Sequence, residues 1–338
     1  MTSHEPSTRE STTGRSNSRY RPKAVTPLGW ASRLSPALAG RLAVHWFTQP
    51  RRFRRPEREA QFLVGASPVE LLPNVAAWAW GSGPTVLLVH GWEGRGSQLG
   101  SFVQPLVEAG YRVLTFDAPA HGDSGGRHST LREFVRAIEA AERASGGLHG
   151  VIAHSFGCPA VSWALERGLR TNGVCFVAPP ASLEMAPDFF GAVTGMTPEA
   201  VHAMKLCVAR MVGISFEELR LENYGPRMRT PLYIVHDQDD VDVELANAQR
   251  YLEHWPGASL CVTRGLGHRR VLNDQSVLDN VVEFIDSVAK DDRESELSAW
   301  LGRQSTAGDG SLTEAATLFP ELGTCGETAG TAPRYPTA

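Results

Sequence analysis

Val151-Ile152-Ala153-His154-Ser155-Phe156-Gly157-Cys158 constrains the fold of this chain more than any other stretch. A short apolar run ends at a serine held between small residues, and a helix-like segment follows. The pattern predicts a strand, a sharp turn and a helix, with Ser155 at the turn. A side chain on so tight a turn sits on strained backbone, and the chain packs closely on both sides of it, so the residues two before and two after must be small. Gly157 meets this demand, and Ala153 fills the other place with the next smallest side chain. Five residues are a short pattern, and serine in a small-residue turn is usually only a turn, so the rest of the chain has to decide.

From Pro84 onward the sequence alternates. Short apolar runs at 86–89, 113–116, 151–153, 174–177, 232–235 and 260–262 are the near-continuous kind expected of strands buried on both faces. Helical periodicity fills most of the gaps. Leu99, Phe102, Val103, Leu106 and Val107 share one face, Leu131, Phe134, Val135 and Ile138 a second, and Val277, Leu278, Val281, Val282 and Ile285 a third. Thr130 and Glu133 form a capping-box pair ahead of the second. The alternation predicts an α/β protein, a mostly parallel sheet with helices on both faces. One gap, about 181–230, holds no clear strand. It carries Phe189, Phe190 and several methionines, and Thr197-Pro198-Glu199 opens a helix within it. It reads as a small helical lid inserted at one end of the sheet.

The chain has 338 residues, 42% hydrophobic and 21% charged, as in an ordinary globular protein. Residues 1–25 are polar and read as a disordered tail, residues 26–60 as a helical extension, 61–290 as the core and 291–338 as a flexible tail rich in Gly, Thr, Ala, Ser and Pro. In the extension, Ser35-Pro36 marks a helix start, and Leu38, Leu42 and Trp46 recur at helical spacing ahead of Arg51, Arg52, Arg54 and Arg55. An amphipathic membrane-surface helix and a helix packed on the domain with a solvated basic end both fit. The second is expected, because a stable membrane anchor needs more than one short basic patch.

The net charge of −4 gives no overall pull toward nucleic acid. Five scattered cysteines without a C-x-x-C pair suggest neither a zinc site nor a disulfide framework, which points to a reducing, cytoplasmic setting. No secretory h-region or spanning apolar stretch is apparent. Gly91, Gly94, Gly96 and Gly100 do not make a dinucleotide fingerprint, and no P-loop lysine follows them. No cofactor or metal is expected.

A serine hydroxyl is a poor nucleophile unless a base removes its proton as it attacks, and histidine has the suitable pKa. Of the eleven histidines, His268 is placed best, in a glycine-rich loop just after the last apolar run. The orienting acid should follow a strand between the two, and His236-Asp237-Gln238-Asp239-Asp240-Val241-Asp242 does so. So many carboxylates invite a calcium or magnesium reading, but the segment lacks the glycine-turned spacing of a calcium loop. Ser155, an acid at Asp239 or Asp240, and His268 run in the serine–acid–histidine order of one known fold.

The stretch from about 73 to 289 resembles the α/β-hydrolase superfamily. The resemblance rests on His90-Gly91-Trp92, Phe116-Asp117-Ala118-Pro119-Ala120-His121-Gly122-Asp123-Ser124, Ala153-His154-Ser155-Phe156-Gly157, His236 to Val243, and Gly267-His268, five segments in the family's order and spacing. It is nearest to small cytoplasmic hydrolases of the serine-aminopeptidase and monoacylglycerol-lipase-like kind. It implies Ser155 as nucleophile, His268 as base and then acid, and Asp240 as the carboxylate that fixes the imidazole tautomer. It further implies an oxyanion hole from the backbone N–H groups of Trp92 and Phe156. Asp117 and His121 fall in what is mainly a structural loop of the family. The expected reaction is cleavage of a small-molecule ester, thioester or amide through an acyl-enzyme, with esters favoured over peptides by the apolar insertion. A non-catalytic binding protein on the same fold is the rival, as are C–C hydrolysis, acyl transfer and cofactor-free haloperoxidation.

Overall fold

The structure is a computed structural model and describes residues 26–288. The two tails anticipated at 1–25 and 291–338 lie outside these residues. Eight strands form one sheet: β1 Ser67–Pro68, β2 Ala77–Trp80, β3 Thr85–Val89, β4 Arg112–Phe116, β5 Gly150–His154, β6 Gly173–Val177, β7 Leu232–Asp237 and β8 Ala258–Thr263. Their order is β1-β2-β4-β3-β5-β6-β7-β8. The β1–β2 and β2–β4 pairs are antiparallel, and every pair from β4 to β8 is parallel.

The six anticipated strands are the six parallel ones. Their central members are buried at every position because both faces of the sheet are covered. The alternation of the pleat divides them. Leu87, Val89, Val151, Ala153 and Phe176 enter one core, while Val86, Leu88, Ile152, Cys175 and Val177 enter the other. Strands β1 and β2 add an antiparallel edge that periodicity alone does not mark, since Ala77-Trp78-Ala79-Trp80 is too short to alternate clearly.

The helix Leu131–Ser145 buries Phe134, Val135 and Ile138 as anticipated, and Thr130 caps it by accepting from the Arg132 N–H. Ahead of β4, the expected helix is split into a 3-10 segment, Gly96–Phe102, and a short α-helix, Val103–Glu108. In the insertion, helices Met185–Thr194 and Pro198–Val212 are joined by a turn, and Thr197 caps the second. Ser215 and Glu218 bond reciprocally, N–H to side chain in both directions, but close a turn without a regular helix.

The N-terminal extension lies on this insertion. Helix Pro36–Phe47 buries Ala39, Gly40, Ala43 and Val44. A Cβ on Gly40 would stand 2.6 Å from Ala203 Cβ and 2.7 Å from the Ala200 carbonyl oxygen, so the two helices touch backbone to backbone. Helix Pro27–Leu34 approaches as closely, with Gly29 against the Gly195 and Thr194 carbonyls. The packed face is therefore the small-residue face, and Leu38, Leu42 and Trp46 point outward. The basic end is not simply solvated either. Arg52 donates to the carbonyls of Ala120, Ser124 and Gly126, and Arg55 pairs with Asp117 and Asp123.

Candidate active site

Because β3 to β8 run parallel, the loops that follow them gather at one edge of the sheet, where α/β proteins hold their ligands. Ser155 ends β5 and opens helix Gly157–Glu166. Its φ is +51°, in the left-handed region that a side chain pays to enter. The small neighbours are required by what faces them. A Cβ on Gly157 would meet the Val89 and His90 carbonyl oxygens at 2.7 and 2.8 Å. A Cβ on Gly91 would lie 3.0 Å from Ser155 Cβ, so the loop after β3 runs directly against the serine.

That loop carries Trp92, whose ring stands edge-on to Phe156 at 5.4 Å between centroids. His90 fixes its start: Nδ1–H donates to the Gly91 carbonyl at 2.7 Å, and Nε2 accepts the Ala118 N–H at 2.9 Å. Burial, then repulsion from His121, lowers the His90 pKa well below its ordinary value, so the ring stays neutral and keeps this tautomer. The loop after β4 is built structurally, as the family resemblance implies. Asp117 accepts from the N–H groups of Gly96 and Asp123, and a side chain at Gly122 would overlap its carboxylate.

At the other side of the elbow, His268 Nδ1 is 2.7 Å from Asp240 Oδ2. The other oxygen, Oδ1, accepts the N–H groups of Asp242 and Val243, each at 2.9 Å. Burial pushes the Asp240 carboxyl up, but the hydrogen bonds from His268 and Val243 outweigh it and hold the pKa below its usual value. Asp240 is thus an ionised acceptor, and His268 Nδ1 carries the proton, leaving Nε2 available. The adjacent acids do different work. Asp239 Oδ2 accepts the Gly265 N–H, and Asp237 Oδ2 accepts from Thr263 Oγ1 and the Leu266 N–H. They tie down the loop that presents His268.

His154 links the two halves. Its Nε2–H donates to the His268 backbone carbonyl at 2.9 Å, and the two rings lie 4.7 Å apart. Since His154 immediately precedes Ser155, this bond sets His268 beside the elbow. Burial, then the nearby His268, pushes the His154 pKa down to about 3, so it acts as a neutral donor. Its bond to the histidine loop is invisible in the sequence, where His154 is only one more residue before a turn. Cys158 is buried one turn on, its thiol donating to the Ala153 carbonyl.

Asp240, Asp242 and His268 have ligand atoms within 4.8 Å of one another, but the Asp240 oxygens are already taken up by His268 and two backbone N–H groups. A cavity of about 280 Å³ lies within the insertion, lined by Asp188, Met196, His202 and Lys205 among others, and includes none of the residues around Ser155.

The family model described as alpha/beta hydrolase family matches residues 86–284. The chain belongs to the alpha/beta hydrolase family. No curated protein matches the sequence of this hydrolase. Its fold is similar to that of the esterase Pf2001 from Pyrococcus furiosus, at 24% identity and a TM-score of 0.52, over 71% of this chain and 98% of that one. It is also similar to the esterase EaEST from Exiguobacterium antarcticum, at 13% identity and a TM-score of 0.50, over 65% and 99%. An alpha/beta hydrolase enzyme from the metagenome of Mar Chica lagoon sediments matches at 17% identity and a TM-score of 0.50, over 65% and 98%. The family match starts at Val86, so the hydrolase's antiparallel edge and its N-terminal helices lie before it. Among the described residues, no helix is long and apolar enough to cross a membrane.

Proposed function

We propose that this hydrolase cleaves small-molecule carboxylic esters through an acyl-enzyme on Ser155. The observation that carries the reading is the 2.7 Å contact between His268 Nδ1 and Asp240, on a loop held beside the strained serine turn. Ser155 Oγ attacks the acyl carbon while its proton passes to Nε2 of His268. Asp240 stays ionised and stabilises the imidazolium. The carbonyl oxygen becomes an oxyanion facing the N–H groups of Trp92 and Phe156, each worth about 3 kcal/mol in the transition state. His268 then gives its proton to the departing alcohol. Water repeats the sequence on the acyl-enzyme, releases the acid and restores Ser155. The cycle balances without cofactor or metal.

Esters are preferred to peptides in this reading because the insertion after β6 carries Phe189, Phe190 and several methionines. The free state of Cys158, Cys175, Cys207 and Cys261 supports a reducing, cytoplasmic compartment. The test is a panel of p-nitrophenyl esters of graded chain length, with thioesters and aminoacyl anilides beside them. Ester turnover that disappears in Ser155→Ala is expected. Anilide turnover exceeding ester turnover, or turnover that survives Ser155→Ala, would overturn the reading.

A further inference from the structure

The two N-terminal helices are amphipathic in the wrong sense for a folded domain. Both lay small residues on the insertion, Gly29 on one helix and Ala39, Gly40 and Ala43 on the other, and so turn their opposite faces away from the body. On those faces Trp30, Leu34, Leu38, Leu42 and Trp46 are between 46% and 89% exposed. Large side chains are the ones that gain most from leaving water. Scattered exposed leucines are normal, but a contiguous apolar stripe marks an interaction surface.

The composition of the stripe says what it fits. Every exposed position between 27 and 47 is apolar except Arg33, Arg41 and His45, so the face offers no acid, and its hydrogen-bonding side chains are these three and the indole N–H groups of Trp30 and Trp46. Tryptophans near its two ends bracket the leucines. Tryptophan favours the headgroup level of a bilayer, and arginine stems lie along apolar surface while their charged heads reach outward. The charge pattern agrees. Residues 11–56 contain nine arginines, one lysine and no Asp or Glu, in a chain whose net charge is −4. Arg52 and Arg55 are spent on the body, whereas Arg33, Arg41 and Arg54 are exposed.

We propose that this face docks the protein on an anionic phospholipid surface, with the tryptophans and leucines entering the headgroup region and the arginines meeting lipid phosphates. Apolar insertion and basic attraction are the two signals that together hold a peripheral protein on a membrane. The cytoplasmic leaflet supplies the negative potential. A second copy of this chain fits less well, because a two-fold contact would set the same cations against each other. The inference does not rest on the role of Ser155.

The test is flotation of the full chain with vesicles of phosphatidylcholine, alone or mixed with phosphatidylglycerol, at low and high salt. The full chain is expected to float with the mixed vesicles, less so at high salt. The double variant Leu42→Glu/Trp46→Glu should lower partition by at least about tenfold, and Arg33→Gln/Arg41→Gln on the order of tenfold at low salt. All four side chains are exposed, so circular dichroism and turnover of a short soluble ester should be unchanged. Failure to float with anionic vesicles would overturn the proposal, as would flotation that neither double variant reduces. Lipid-free self-association relieved by Leu42→Glu/Trp46→Glu would also overturn it, making the face a contact between copies.

Discussion

The parallel sheet and the N-terminal helices solve opposite packing problems. Strands β3, β5 and β6 bury their large side chains and leave nothing for solvent, and their reward is a rigid edge on which the Ser155, His268 and Asp240 loops converge. The helices at 27–47 bury glycine and alanine and display tryptophan and leucine. The comparison teaches that a helix can be held by close approach of its small residues while its large side chains stay outside, whereas the strands are held by burial of bulk.

The largest expected effect is at the edge that carries Ser155, His268 and Asp240. Asp240→Asn keeps the shape but accepts poorly from Nδ1–H, so turnover should fall by at least about a hundredfold, a floor beneath the loss known for an analogous protease substitution. Asp239→Asn, which loosens only the Gly265 contact, should cost far less. Steady-state rates at matched folded concentration decide between them, and the reverse ranking would mean that the histidine is oriented by Asp239.

Two glycines sharpen the comparison. Gly157→Ala and Gly40→Ala both force a Cβ against a carbonyl at 2.7 Å. Each should cost about 1–3 kcal/mol, as overpacking does. Thermal unfolding should therefore drop by roughly 2–4 °C per kcal/mol in both. Only Gly157→Ala should also depress kcat. Loss of turnover in Gly40→Ala would show that the extension supports the active edge.

A smaller effect comes from pH. His154 and His121 are pushed by burial down to about 3 and about 4, and His90 well below its ordinary value. The unfolded chain takes up these protons near the ordinary histidine value of about 6.5, and the folded chain does not, so folding stability must fall as pH drops below about 6.5 and keep falling toward about 4. Melting temperature measured across that range should show the slope, and His121→Asn should flatten it. A flat profile in the unaltered protein would mean that these rings are solvated. The smallest effect is expected at Trp46→Ala, which should move stability by no more than about 0.5 kcal/mol because the side chain is outside the packed face.

The apolar runs at 86–89, 151–153 and 174–177 were legible because strands buried on both sides carry unbroken hydrophobicity. The antiparallel β2 was not, since four residues of alternating Ala and Trp give too little pattern. The histidine and serine loops were legible as motifs, while the division of labour among Asp237, Asp239 and Asp240 depends on which way neighbouring loop residues face, and that is set by β8 and the loop 263–266 rather than by spacing. The packed helix of the extension was legible, but which of its faces meets the body was not, for a physical reason. Periodicity locates the apolar face of a helix, but it does not say whether that face or the small-residue face meets the body.

The central claim is that Ser155 is a nucleophile activated from His268. The most direct measurement is fluorophosphonate labelling followed by mass spectrometry of the modified peptide, comparing the unaltered protein with Ser155→Ala and Asp240→Asn. The account predicts one adduct, on Ser155, formed much more slowly in Asp240→Asn and absent in Ser155→Ala. Equal labelling of Ser155→Ala, or an adduct on another residue, would contradict it.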